Sequence, residues 1–269
     1  MLSTTAGDTA RMSPRTTDRP AVDRDLVLLE YEEQSDGGTS SPLRVRPTVE
    51  EALVVVGSAT APRRSLAYHA SKRAIDVVLA GILLVVVAPL VGLIALVIRL
   101  DSRGGAIFSQ LRVGKNGRLF RFYKFRTMHA DAAERFPDLY AYEYDEEQIS
   151  TMYFKLPYDP RCTRFGKRLR RTSLDELPNL INVLRGDMTF VGPRPEIPEM
   201  LPYYEPDQHH KFAVKPGMTG LAQVSGRNIL RFVETNAKDI DYVQRRSLRL
   251  DLGILCKTVG VVVLMIGAH

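Results

Sequence analysis

The stretch Asp159–Pro195, DPRCTRFGKRLRRTSLDELPNLINVLRGDMTFVGPRP, gathers the residue types that phosphate chemistry needs. Six cations, Arg161, Arg164, Lys167, Arg168, Arg170 and Arg171, fall within eleven residues and run into the adjacent carboxylates Asp175 and Glu176. Cations beside two acids suit a site that receives a polyphosphate, because charge must be neutralised before a carboxylate can approach phosphorus. Ser173 and Glu176 stand at capping-box spacing. Leu177, Leu180, Ile181 and Leu184 follow as the stripe of an amphipathic helix, which Gly186 terminates. Pro178 then lies in the first turn, so Asp175 is an equally good cap. Two readings stay open here. The acids are either favoured by the helix macrodipole alone, or one of them is aimed at an anion gathered by the N-terminal N–H groups.

Two further segments join this set. Gly192–Pro193–Arg194–Pro195 is a rigid turn that holds one arginine between two prolines, and residues 215–227, KPGMTGLAQVSGR, form a glycine-rich loop with Lys215 and Arg227 at its ends. No Walker-type phosphate loop or dinucleotide fingerprint is present. His209–His210 lacks a partner one helical turn away and reads as a solvated pair rather than a metal site. Cys162 and Cys256 form no metal or redox motif and read as reduced thiols of a cytosolic protein.

The elements that must position these residues begin with Val77–Ile98, 22 residues without a charge. That length spans a hydrocarbon core as a straight helix. Pro89, however, removes a backbone donor and crowds the preceding turn, which predicts a kink. Four cations on each side (Arg63, Arg64, Lys72, Arg73; Arg99, Arg103, Arg112, Lys115) give no asymmetry to orient a span. A re-entrant helix with both basic flanks in the cytoplasm satisfies both observations, and a kinked spanning helix, which also tolerates proline, stays open beside it. After it, Gly104–Gly105 and Lys115–Asn116–Gly117 are turn signals around two short strands, Ala106–Leu111 and Leu119–Phe125. Phe120 and Phe122 share one face of the second strand, with Lys124 on the same side. Residues 129–158 are acidic and tyrosine-rich and read as a surface excursion, helical in its first half, without a catalytic role. The run Leu252–Ala268 contains Lys257 and is too short to span; it reads as a helix against the membrane face.

The chain has 269 residues and a net charge of +6, unevenly distributed. Residues 1–64 carry 8 Lys/Arg against 10 Asp/Glu, and the remaining 205 carry 29 against 21. The positive part therefore favours phosphate-rich partners. The first thirty residues have no apolar signal-peptide core. Residues 1–64 read as a polar, mostly disordered extension whose apolar patches, Leu26–Leu29 and Ala52–Val56, are too brief to build a core, with transient docking against a partner surface as the alternative. The expected organisation is an extension over 1–64, a re-entrant membrane helix with its flanks over 65–100, and a cytoplasmic catalytic domain over 101–269. The fold class is α+β and mainly helical, with a small α/β unit on the membrane surface.

Taken together, these residues resemble the bacterial sugar transferase family, the monotopic phosphoglycosyl transferases. The similarity covers about Ser71 to Leu264. Its motifs are Lys72-Arg73-x-x-Asp76, the apolar run with its proline, Lys124-Phe125-Arg126-Thr127-Met128, and Arg164-x-Gly166-x-x-Leu169-Arg170-Arg171. They continue through Ser173-Leu174-Asp175-Glu176-Leu177-Pro178, Gly186-Asp187-Met188, Gly192-Pro193-Arg194-Pro195, Pro216-Gly217-x-Thr219-Gly220 and Gly226-Arg227. Two positions depart from the family's habit: Ala88 precedes the membrane proline where Ser is common, and Gly105 stands where Pro is common.

The resemblance implies transfer of a sugar 1-phosphate from a UDP-sugar to undecaprenyl phosphate at the inner membrane, with release of UMP, at the start of surface polysaccharide synthesis. It implies Asp175 as nucleophile, Glu176 as its partner in the dyad, and Mg²⁺ beside Asp175. Lys124, Arg170 and Arg194, with Pro193 and Pro195 framing the last, are the implied contacts for diphosphate and lipid phosphate, and Asp251 is a weaker candidate. The implied partners are UDP-sugar, undecaprenyl phosphate and inner-membrane lipid, with a second copy or other polysaccharide-assembly proteins as candidates and no nucleic acid. The competing reading from charge alone is a non-catalytic basic adaptor on anionic lipid or nucleic acid. It leaves the dyad unexplained. No segment reads as a hydroxyl-specific pocket, so the sugar is not specified.

Overall fold

A computed structural model describes residues 46–153, 159–226 and 229–263. The expectations for residues 1–45, including the Leu26–Leu29 patch, and for Arg227 lie outside them. The long apolar run forms most of one helix, Leu66–Asp101, of 36 residues. It is long and apolar enough to cross a membrane. The helix runs through Pro89 without interruption. Before it, Val49–Gly57 (α1) starts at a capping box between Thr48 and Glu51. Here the structure corrects the expected extension. Ala52 and Val56 are fully buried in a cluster with Val113, Leu201, Phe212 and Phe232, so this patch docks into the body. Five apolar residues find a core once the partner surface comes from distant chain.

After the long helix (α2), β1 (Ile107–Val113) and β2 (Leu119–Phe125) pair antiparallel, with Phe108 opposite Lys124 and Arg112 opposite Phe120. The connection is the expected Lys115–Gly117 turn, where Asn116 and Gly117 take positive φ. The alternation expected for β2 holds: Phe120 and Phe122 are buried and Arg121 is exposed. The acidic excursion carries two short helices, Ala132–Arg135 (α3) and Glu146–Thr151 (α4). As expected it lies largely on the surface, with Ala132 the one buried residue among 129–153, and it is tied down at two points. Tyr140 packs under the Arg161 guanidinium, and the Tyr203 hydroxyl donates to the Tyr142 carbonyl.

Helix α5 (Arg164–Thr172) follows, then a 3₁₀ segment over Leu174–Asn179 and helix α6 (Leu180–Arg185), closed by Gly186 at φ 87°. β3 (Thr189–Val191) pairs parallel with β4 (Gly217–Thr219). Helices α7 (Leu221–Gly226), α8 (Phe232–Arg245) and α9 (Leu248–Val263) complete the described fold. In the glycine-rich segment, Gly217–Thr219 is thus strand and Leu221–Gly226 helix rather than loop. Its glycines serve close backbone approach. A Cβ on Gly217 would lie 2.2 Å from Gly192 N, and one on Gly220 would lie 2.3 Å from Gly192 O.

The motif Lys72-Arg73-x-x-Asp76 fastens α2 to the body. Arg73 donates to the carbonyls of Val183 and Leu184 at the end of α6, both at 2.6 Å. Asp76, 5% exposed, accepts from Thr189 Oγ1 at 2.7 Å and Phe190 N at 3.0 Å. At the other end, Ile94 and Ile98 pack with Phe125 and Leu169. Arg126 donates to the carbonyls of Ser102 and Arg103 just beyond the helix. Both ends of α2 therefore contact one folded body.

Candidate active site

The dyad does not sit on a capped helix start. Ser173 is left-handed, at φ 60° and ψ 13°, ends α5, and its side chain makes no cap bond. Asp175 and Glu176 lie in the following 3₁₀ segment, which Pro178 keeps from continuing as α-helix. The helix-cap account of the acids is thereby corrected. Asp175 is 7% exposed, whereas Glu176 opens to solvent and stands 3.8 Å from Arg194. The segment is pinned to β2 through Asn179, whose Oδ1 accepts from Tyr123 N at 3.0 Å and from Asn182 Nδ2 at 2.9 Å. That bond brings Lys124, the next residue along β2, into the field of both acids.

Lys124 is half-buried, with its ammonium 5.1 Å from the Phe108 ring. Burial pushes its pKa down to about 8, helped by the charges of Arg112 and Arg170 and opposed by Asp175 and Glu176. Those named neighbours show that Lys124, Arg112, Arg170 and the dyad share one electrostatic neighbourhood.

The six cations of the 161–171 stretch do not act as one collar. Arg161 and Arg170 turn inward onto Asp159, at 2.8 and 3.0 Å. Arg170 also lies 3.0 Å from Cys162 Sγ. Burial opposes ionisation of Asp159, but the hydrogen bonds and charge of Arg161 and the charge of Arg170 outweigh it and hold the carboxyl below its usual range. Arg164, Lys167, Arg168 and Arg171 point outward and are exposed. Within α5 the 3.6-residue period separates Arg170 from the outward four, while Arg161 lies before the helix.

The turn that carries Arg194 is held at every residue. Gly217 N donates to Pro193 O at 2.8 Å, and Arg194 N donates to Asp239 at 3.3 Å. Arg112 donates to Pro195 O at 3.2 Å. Pro193 and Pro195 are buried and act as frame, leaving the Arg194 side chain to reach Glu176. Behind the turn, Lys211 Nζ meets Asp239 Oδ2 at 3.1 Å, Tyr204 Oη at 3.0 Å and Asn236 Oδ1 at 3.0 Å. Tyr204 donates on to Glu196, which pairs with Arg112 at 3.7 Å. Sequence reasoning missed Arg112, Lys211 and Asp239. Only Arg112 left a signal, an arginine on a short strand one position before its last residue.

Asp251 is not brought to the dyad. Its oxygens are taken by Lys72 Nζ at 2.6 Å and the Tyr242 hydroxyl at 2.7 Å, and Lys72 also donates to Val191 O. It anchors α9 to α2 beneath β3 and is not free to hold a substrate. The His209–His210 expectation is also corrected. His209 is 3% exposed and stacks on Tyr204, and burial with the charge of His210 pushes its pKa down to about 4. His210 Nδ1 lies 2.8 Å from the Thr60 carbonyl, to which it donates.

Beside the dyad opens a groove of ≈ 490 Å³. Leu79, Leu83 and Val87 of α2 and Leu255 and Val259 of α9 contribute apolar lining, and Glu176 and Arg194 contribute its charged groups.

The bacterial sugar transferase profile matches residues 67–265, which include every one of these site elements. The chain belongs to that family. It is 47% identical over 172 residues to a protein named galactosyl transferase CpsE from Streptococcus agalactiae, covering 64% of this chain and 37% of the relative. It is 43% identical to the UDP-galactose-lipid carrier transferase of Erwinia amylovora, over 76% of this chain and 43% of that one. A third relative, the exopolysaccharide production protein ExoY of Rhizobium meliloti, is 38% identical over 74% of this chain and 88% of its own. The chain thus spans less than half the length of the first two relatives.

Among the described residues no three His, Cys, Asp or Glu side chains converge as a metal cage. Mg²⁺ needs no such cage. It is held by one or two carboxylates together with substrate phosphates and water, and the carboxylates of Asp175 and Glu176 are the donor type that such a site would use.

Proposed function

We propose that this sugar transferase is a phosphoglycosyl transferase moving a sugar 1-phosphate from a UDP-sugar to undecaprenyl phosphate, the step that starts a surface polysaccharide. The observation that carries this reading is the groove. Its lining is mostly apolar and built partly from the membrane-length helix, and Glu176 and Arg194 are the charged residues in it. A long isoprenoid with a phosphate head has that distribution of character. The names of the relatives, which include a UDP-glucose:undecaprenyl-phosphate glucose-1-phosphate transferase of Caulobacter vibrioides, support the same substrate class.

In this mechanism an Asp175 oxygen attacks the phosphorus that bears the sugar, and the bond to the bridging oxygen breaks. UMP leaves with that oxygen and its electron pair. A phosphate oxygen of the lipid then attacks the same phosphorus and frees Asp175. Arg194, Lys124 and Arg112 neutralise the phosphate oxygens while charge moves onto the leaving group. Mg²⁺ held by Asp175 and Glu176 would supply further charge neutralisation when bound. Asp175 is nearly enclosed, which favours a group that keeps competing water from a phospho-aspartate.

The fixing of both ends of α2 to one body supports a helix that enters and leaves the membrane on the same side, the cytoplasmic face of the inner membrane. Cysteines at Ser65 and Ser102, the residues flanking α2, should label from one side of sealed vesicles; labelling from opposite sides overturns the re-entrant reading. The activity is tested with a panel of UDP-sugars and undecaprenyl phosphate, following UMP release and the mass of the lipid product. Asp175→Asn should form no lipid product, and full turnover by that variant overturns the mechanism.

A further inference from the structure

We propose that the outer face of α5 is a docking surface for anionic phospholipid headgroups, which sets the catalytic body on the bilayer. The inference rests on the membrane-associated reading of α2 and goes beyond it by assigning the surface that reads lipid charge.

Arg164, Lys167, Arg168 and Arg171 are exposed, and no hydrogen bond or ion pair engages their side chains among the described residues. At 100° per residue they occupy an arc of about 100° on one side of the helix. The opposite side is fixed. Leu169 packs on Ile94 and Ile98 in the last two turns of α2, and Gly166 lies so close to β2's exit that a Cβ there would be 2.0 Å from Thr127 O. Arg170, between these faces, is held by Asp159. The cationic stripe is therefore rigidly placed rather than carried on a flexible loop.

Its location decides the partner. Helix α5 rests on the end of α2 where the apolar run gives way to Arg99 and Arg103, both exposed. Leu93, Leu96 and Leu100 on that same end are 58%, 55% and 79% exposed and need a hydrocarbon environment. A stripe mounted beside the point where an apolar helix meets charge lies at headgroup depth, within reach of long arginine and lysine side chains. Each such cation near an anionic leaflet contributes ~1 kcal/mol, about fivefold. Nucleic acid would meet the same charges, but nothing in the surrounding surface would hold it beside a hydrocarbon-facing helix end.

The test uses the full chain in nanodiscs of phosphatidylcholine with and without phosphatidylglycerol, and reads hydrogen exchange over residues 164–172. Phosphatidylglycerol should slow exchange there, and raised salt should reverse the effect. The triple variant R164Q/K167Q/R168Q removes three cations that contact nothing else, and should lose up to about a hundredfold of that protection. If the triple variant does not reconstitute, Arg168→Glu alone should still cut the phosphatidylglycerol effect. Identical exchange of the native chain in the two lipids overturns the proposal, as does a triple variant that keeps the full lipid response. Protection by an added oligonucleotide but not by phosphatidylglycerol would assign the face to nucleic acid and also overturn it. Because exchange is read without turnover, a chain that transfers no sugar phosphate yet shows the lipid response would refute the transferase reading and leave this one standing.

Discussion

Replacing Lys211 by Met tests whether the buried pair behind the Arg194 turn behaves as its geometry requires. The side chains of Lys211 and Asp239 are 1% and 0% exposed and meet at 3.1 Å. Lys211→Met leaves Asp239 without its counter-charge, and stranding one member of a buried ion pair costs about 3–5 kcal/mol. For a body of this size each kcal/mol moves the melting temperature by about 2–4 °C, so the apparent Tm should fall by roughly 6–20 °C. Burial already raises the Asp239 carboxyl above 3.8, with Lys211 and Arg194 opposing. A raised carboxyl binds its proton more tightly when folded, so its stabilising contribution is greatest at low pH and is lost as pH rises through the folded value. Losing Lys211 pushes that value higher still, and the Tm deficit of the variant should therefore shrink in acid.

The paired change Lys211→Met/Asp239→Leu removes both charges and should recover most of the lost stability, since apolar replacement of a buried pair is often neutral or better. It also strips Arg194 N of its acceptor. Stability and activity should then part. The single variant melts early but turns over when folded, because Asp239 still accepts from Arg194 N. The double variant melts late and turns over poorly. Thermal scans from pH 5 to 8, beside a UMP-release assay, read both. A Lys211→Met deficit under about 2 °C, or a double variant no more stable than the single one, refutes the argument.

Lys124 should impose an alkaline limit. With its amine lowered to about 8, the free enzyme loses that charge as pH rises through about 8, and kcat/KM for the UDP-sugar should fall there. Lys124→Arg should move the fall upward, and an unchanged profile removes Lys124 from substrate binding. Asp159, held below the usual 3.8, contributes stability that is present above that value and lost as pH falls through its folded value. Asp159→Asn should cost about 2–3 kcal/mol at neutral pH and progressively less in acid, read as Tm against pH. Gly217→Ala should prevent folding, because its Cβ would sit 2.2 Å from Gly192 N, whereas Gly81→Ala meets nothing within 4 Å and should leave Tm level or raised. Equal expression and melting of those two variants would contradict the close approach of β3 and β4.

The parts of the fold legible in the sequence are those written in local period. The 22-residue apolar run became α2, and the alternation of Phe120 and Phe122 gave the buried face of β2. Asp175 and Glu176 stood out because two carboxylates sit beside the arginines, although their backbone was misread. Ser173 and Glu176 keep capping spacing, but Ser173 is left-handed and Pro178 diverts the segment to 3₁₀. Pairing between distant residues was not legible. Lys211 and Asp239 are separated by 28 positions, and neither motif nor periodicity marks a lysine that will be fully enclosed. Arg112 looked like one more flanking cation, yet its strand points it at Pro195 O and Glu196. The division of the arginine cluster was legible in principle. Four of its cations fall on one helical arc by spacing alone, and adding their charges together concealed that.

The groove and the helix constrain one another. The body-facing side of α2 touches the folded unit from Lys72 to Ile98, a rise of about 39 Å at 1.5 Å per residue. Val78, Ile82, Val85, Val86, Leu93, Leu96 and Leu100 form an exposed apolar stripe on its other side along that whole length. A helix crossing a bilayer whose core is about 30 Å thick would carry its attached body into the hydrocarbon. That body presents Arg99, Arg103 and the four outward cations of α5 near one end of the contact. Burying those charges is far costlier than leaving one side of a helix in lipid. On the proposed same-side reading, the helix meets the membrane with its apolar stripe while its other side stays on the body. Leu79, Leu83 and Val87 line the groove, so on the proposed reading a lipid passing from the leaflet along α2 would reach Glu176 and Arg194 without first crossing water.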